Sequence, residues 1–114
     1  MTLQEVVSCV KGNVVCGGEH LARDVELGFA SDLMSDVLTL LNDDLLLITG
    51  LANIQSIRTA EMSDIHQILY VRNKQPTRDM VELAQQQDIT LMTTPCSMFK
   101  ASALLHQAGL KPVY

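Results

Sequence analysis

Three short apolar runs at near-even spacing constrain the fold of this chain more than any other feature. They are Leu45-Leu46-Leu47-Ile48, Ile68-Leu69-Tyr70-Val71 and Ile89-Thr90-Leu91-Met92. A strand that is apolar at nearly every position is buried on both faces, which is the condition of a parallel sheet covered by helices. Each run stops at a polar or glycine-bearing segment: Thr49-Gly50, Arg72-Asn73-Lys74 and Thr93-Thr94-Pro95. The runs recur at roughly twenty-residue intervals, room for a right-handed β-α-β crossover. The pattern predicts an α/β fold, a small mostly parallel sheet flanked by helices, with its polar loops along one sheet edge.

The intervening stretches supply the helices and lesser strands. Thr2 and Glu5 make a capping-box pattern ahead of Leu3, Val6, Val7 and Val10, a single apolar stripe, and Gly12 is placed to end that helix. Asn13 to Cys16 reads as a short strand before Gly17-Gly18. Arg23 to Phe29 alternates, with Val25, Leu27 and Phe29 on one face, as a half-buried strand near a sheet edge does. Ala30-Ser31-Asp32 starts a helix with the buried stripe Leu33, Val37, Leu40 and Leu41, and Asn42-Asp43-Asp44 breaks it. Ile54, Ile57 and Met62 mark the next helix, and Thr77 caps one lined by Met80, Leu83 and Ala84. Thr94 caps the last helix, with Pro95 in its first turn, Met98, Ala101, Leu104 and Leu105 inside, and Gly109 as the stop. Lys111 to Tyr114 reads as a tail. The two early strands either pair with each other or extend the sheet, and the strand order stays open.

A chain of 114 residues, 47% hydrophobic, forms one domain over residues 1–114 and fills its own core. Its net charge is −5, and eight basic residues are spread from Lys11 to Lys111, so no basic face marks it as a nucleic-acid binder. No apolar stretch is long enough for a membrane span, and the N-terminus lacks a signal-like plan, which leads to the expectation of a cytoplasmic protein without a membrane partner. Cys9, Cys16 and Cys96 are odd in number and form no C-x-x-C pair. That argues against a disulfide framework and against an iron–sulfur cluster, which takes four thiolates. His20, His66 and His106 have no ligand-like spacing, and no metal site is expected.

Two constellations carry the candidate chemistry. The first is the row of strand ends, where helix N-termini favour anions. Gly50 permits close backbone approach, Arg72 brings positive charge, and Asn53, Thr93, Thr94 and Ser97 bring polar groups. A nucleotide or another small anion fits such an edge, although neither G-x-x-x-x-G-K-[ST] nor G-x-G-x-x-G occurs. The second is the polar helix start at Ser31, Asp32 and Asp36, where Asp32 and Asp36 at i and i+4 would point off one helix face. Such a pair serves acid–base work or helix capping. Cys96, read as lying in a first helical turn, would have a lowered thiol pKa.

The stretches Ala30 to Val37, Leu46-Leu47-Ile48-Thr49-Gly50, Asn53 to Met62 and Thr93 to Phe99 together resemble stand-alone members of the DRTGG-domain family, over nearly the whole chain. The Asp-Arg-Thr-Gly-Gly string itself is absent, and Gly50-Leu51-Ala52-Asn53 and Arg72-Asn73-Lys74 stand in the matching loops. The resemblance implies a fold similar to the N-terminal domain of the HPr kinase/phosphorylase. It implies a regulatory or dimerising module, as in phosphate acetyltransferases and between the CBS domains of some inorganic pyrophosphatases. It also implies an association with iron-only hydrogenase components. The resulting expectation is a non-catalytic regulatory or accessory homodimer that binds a small anionic ligand such as a nucleotide. The alternatives are an iron–sulfur-associated accessory protein of a hydrogenase system, and a small phosphate-ester hydrolase using Asp32 and Asp36.

Overall fold

A computed structural model describes residues 1–40, 42 and 44–114. The expected stripe residue Leu41 and the helix-breaking Asp43 lie outside the described residues. The elements in order are α1 (Leu3–Cys9), β1 (Asn13–Cys16), a 3-10 turn (Gly18–His20), β2 (Leu27–Ala30), α2 (Met34–Val37), β3 (Leu45–Thr49), α3 (Ile54–Met62), β4 (Gln67–Tyr70), α4 (Arg78–Gln86), β5 (Thr90–Thr93), α5 (Met98–Gln107) and β6 (Lys111–Pro112). Six strands form one sheet in the order β1-β5-β4-β3-β2-β6. All neighbours run parallel except β1, which pairs antiparallel with β5 at one edge.

The three apolar runs become β3, β4 and β5, and their side chains feed two cores alternately. Leu45, Leu47, Ile68, Tyr70 and Leu91 pack with Met34, Val37, Ile57, Ala60, Met80 and Ala84 on the face of α2, α3 and α4. Leu46, Ile48, Leu69, Val71 and Met92 pack with Leu3 and Val6 of α1, with Val10 that follows it, and with Ala101 and Leu105 of α5. This two-sided burial is why the runs do not alternate with polar residues. Both sheet faces are thus covered, and among the described residues the exposed large apolar side chains lie at the ends of α2 (Leu33, Leu38), on α3 (Met62) and α5 (Phe99), and at the chain end (Tyr114). On β4 the Tyr70 hydroxyl meets Ser56 Oγ of α3 at 2.7 Å, and burial pushes its pKa up to about 12.

Several local expectations yield to tertiary contacts. The early strands do not pair with each other: β1 flanks β5 and β2 flanks β3. The alternating stretch from Arg23 is strand only from Leu27. Its front half serves the chain start instead, where Asp24 bridges Thr2 and the Val25 N–H donates to the Met1 carbonyl. The left-handed residue after α1 is Lys11, not Gly12. In the stripe expected for α2, Val37 and Leu40 are buried, but Leu33 is exposed and Met34 takes the inward position. Met62 is likewise exposed. The C-terminal tail adds a two-residue strand, β6, alongside β2. Among the described residues, no helix is long and apolar enough to cross a membrane.

Candidate functional site

The parallel strands β2, β3, β4 and β5 end together, so the segments Ser31-Asp32, Thr49-Gly50, Arg72-Asn73 and Thr93-Thr94 share the carboxyl edge of the sheet. Asp32 is their meeting point. Its Oδ1 accepts from the Gly50 N–H at 2.7 Å and from the Thr49 hydroxyl at 3.0 Å, and its Oδ2 pairs with the Arg72 guanidinium at 3.3 Å. Gly50 is the residue this arrangement requires: a Cβ there would fall inside the Arg72 guanidinium, which lies across the turn between β3 and α3. Arg72 and Asn73 both take left-handed backbone, φ 59° and 57°. Their N–H groups donate to the carbonyls of Cys96 at 2.8 Å and Thr94 at 3.0 Å, which ties the turn after β4 to the turn after β5.

The electrostatics follow from these contacts. Three donors of different kinds, a hydroxyl, a backbone N–H and a guanidinium, converge on the Asp32 carboxylate. Burial alone would raise the Asp32 pKa. The Gly50 N–H, the Thr49 hydroxyl and Arg72 outweigh it and hold the carboxyl below its usual 3.8. A depressed folded-state pKa adds stability above the unfolded value that is lost as pH falls through the folded one. Wild-type protein should therefore lose thermal stability more steeply than Asp32→Asn when pH is lowered from about 6 to about 3. Melting curves across that range check it, and parallel profiles for the two proteins would contradict it.

The other sequence-derived residues divide by role. Asn53 caps α3, accepting from the Ser56 N–H at 3.0 Å, and Ser97 caps α5, accepting from the Lys100 N–H at 3.1 Å. Thr94 is not the cap of α5. Its hydroxyl is buried and donates to the Val10 carbonyl at 2.7 Å, so Pro95 and Cys96 precede the helix and Cys96 does not lie in its first turn. Thr93 is buried at the end of β5, in register with Tyr70. Ser31 Oγ accepts from the Leu33 N–H at 2.9 Å. Asp32 lies ahead of α2 and Asp36 within it, so the two do not share a helix face as an i, i+4 pair. Thr49 is the partner that sequence reasoning missed as a site residue. Its signal was a Thr-Gly pair closing a buried parallel strand.

Residues 5–108 match the DRTGG domain model. This chain belongs to the DRTGG-domain family. Among solved structures, it is similar to the CBS and DRTGG domains of the regulatory region of Clostridium perfringens pyrophosphatase, a structure complexed with the activator diadenosine tetraphosphate. The TM-score is 0.77 at 16% identity, over 96% of this chain. The match takes in 47% of that structure, so the chain spans about half its length. No curated protein matches this chain. The mostly parallel α/β architecture seen here matches that of this structural neighbour.

Proposed function

We propose that this DRTGG-family chain is a non-catalytic regulatory or accessory module. It works as a cytoplasmic homodimer and takes up a small anionic ligand of the nucleotide class at the carboxyl edge between β2, β3 and β4. One observation carries this reading: the Thr49 hydroxyl, the Gly50 N–H and the Arg72 guanidinium already converge on a carboxylate at 2.7–3.3 Å. A phosphoryl oxygen asks for the same donors. The ion pair is about half exposed, 45% for Arg72 and 43% for Asp32, so an incoming anion has access to the guanidinium. A further support is that the similar pyrophosphatase regulatory region was captured with a nucleotide activator. For the homodimer, support comes from exposed Leu33, Leu38 and Met62 on the adjoining α2 and α3 region and from Phe99 on α5, apolar groups that a second copy would cover.

Calorimetry against mono-, di- and triphosphate nucleotides and diadenosine tetraphosphate, paired with sedimentation, tests both parts. Saturable heat that weakens with added salt, together with a sedimenting dimer, supports the reading. The absence of heat across the panel removes the ligand, and a monomer at every concentration removes the dimer.

A further inference from the structure

A cavity of 310 Å³ lies between β2, β3, α5 and the C-terminal segment, and none of Asp32, Thr49, Gly50 and Arg72 lines it. Its origin is a pair of small residues on β2. Gly28 admits Leu110 so closely that a Cβ there would stand 2.6 Å from Leu110 Cδ2. Ala30, two residues on, carries only a methyl group, and its register partner on β3 is Ile48. The space that a larger side chain would fill beneath α5 therefore stays open. Ile48, Leu110 and Pro112 make its walls apolar. Lys111 also borders it. That residue stands in register with Leu27, which packs on the opposite core, so β6 turns Pro112 and not the Lys111 ammonium toward α5.

Two polar side chains interrupt this lining. Ser102 and His106 are four residues apart on α5 and so share one helix face. Ser102 Oγ is buried and has no hydrogen-bond partner, a costly state for a hydroxyl. The His106 Nδ1 lies 3.1 Å from the Leu110 carbonyl. A carbonyl only accepts, so Nδ1 carries the proton of the neutral ring and Nε2 is the acceptor. An apolar enclosure of this size with a few convergent polar groups is the form that small-molecule sites take. We propose that the cavity binds a neutral small molecule of the phenol class, its ring against Ala30, Ile48 and Leu110 and its hydroxyl at Ser102 and His106. Ser102 supplies a donor and His106 an acceptor, the two partners that one hydroxyl asks for. An ionised ligand is disfavoured, because the apolar walls give a buried charge no partner. The inference does not depend on whether a nucleotide binds at the carboxyl edge.

The test is titration of the whole chain with p-cresol, toluene and p-toluate at about pH 8, where a histidine ring is neutral, followed by backbone amide NMR. The three share a methylated ring and differ only in the polar group. The expected result is saturable p-cresol shifts centred on Gly28, Ala30, Ile48, Ser102, His106 and Leu110. Toluene should bind roughly 3- to 10-fold more weakly and p-toluate more weakly still. The order is diagnostic, because an apolar pocket without hydrogen-bonding partners favours toluene, which has no hydroxyl to desolvate. Ser102→Ala should erase the preference for p-cresol over toluene, and Ser102→Leu, which fills the cavity, should abolish binding of both. The order in the wild type needs no substitution, so a variant that fails to fold does not spoil the test. Absence of saturable shifts, shifts centred on other residues, toluene binding as tightly as p-cresol, or p-toluate binding most tightly would each overturn the proposal.

Discussion

Gly17→Ala is expected to lower the melting temperature by on the order of 10 °C. Gly17 sits where β1 leaves the sheet, with φ 78° and ψ 24°. Any L side chain in this left-handed region costs roughly 1–2 kcal/mol. Space makes it worse: a Cβ there would stand 2.5 Å from Thr90 Oγ1 and 2.7 Å from Thr90 Cα. The second of these atoms is backbone of a central strand and cannot swing aside. The Thr90 hydroxyl also donates to the Gly17 carbonyl at 3.1 Å, so displacing residue 17 breaks that bond and strains the pairing of β1 on β5. Overpacking of this kind costs a further ~1–3 kcal/mol. At this chain length each kcal/mol moves the midpoint by roughly 4 °C. Gly18→Ala is the control, because its Cβ would meet only Val14 Cγ1 at an ordinary 3.9 Å. Thermal melts by circular dichroism decide the matter, and equal melting temperatures for the two variants would refute the steric account.

The fold was legible where burial is continuous. Leu45 to Ile48 and Ile68 to Val71 announced two-sided strands because helices cover both sheet faces. Strand ends were less visible. β5 begins at Thr90 because the Ile89 N–H turns back to the Ala84 carbonyl at 2.9 Å. Buried threonines such as Thr90 and Thr93 carry no hydropathy signal to mark the shift. Thr94-Pro95 carries the local signature of a helix cap, yet a partner 84 residues away, the Val10 carbonyl, claims the Thr94 hydroxyl and leaves capping to Ser97. Local pattern lost there to a tertiary hydrogen bond. The candidate site divides the same way. Gly50 and Arg72 could be read as loop residues following parallel strands. The role of Asp32 could not, because it depends on β2 lying beside β3. Strand order is a property of the packed whole. Without it, Asp32 looked like a helical partner of Asp36, when it is the carboxylate on which Thr49, Gly50 and Arg72 converge.

That internal carboxylate makes the second large effect a signed one. If a nucleotide phosphate binds where Asp32 now sits, Arg72→Ala should weaken it by roughly 10- to 150-fold, the loss of one charge-assisted hydrogen bond worth about 1.5–3 kcal/mol. Alanine is the suitable replacement because the residue 72 N–H keeps its bond to the Cys96 carbonyl, so the turn after β4 stays in place. Asp32→Asn should act in the opposite direction. Its amide oxygen still accepts the Gly50 N–H, while the charge that competes for Arg72 is gone. Removing a half-exposed repulsion of about 0.2–1 kcal/mol should tighten phosphate binding by up to roughly five-fold. Gly50→Ala separates position from charge. The new methyl group displaces the guanidinium without removing it, so affinity should fall while net charge and salt dependence are retained. Titration calorimetry on the three variants, with melting curves to confirm folding, reads all three signs. Wild-type affinity in Arg72→Ala would move the ligand away from this edge. Weaker binding in Asp32→Asn would make Asp32 a ligand contact instead of the ligand's competitor.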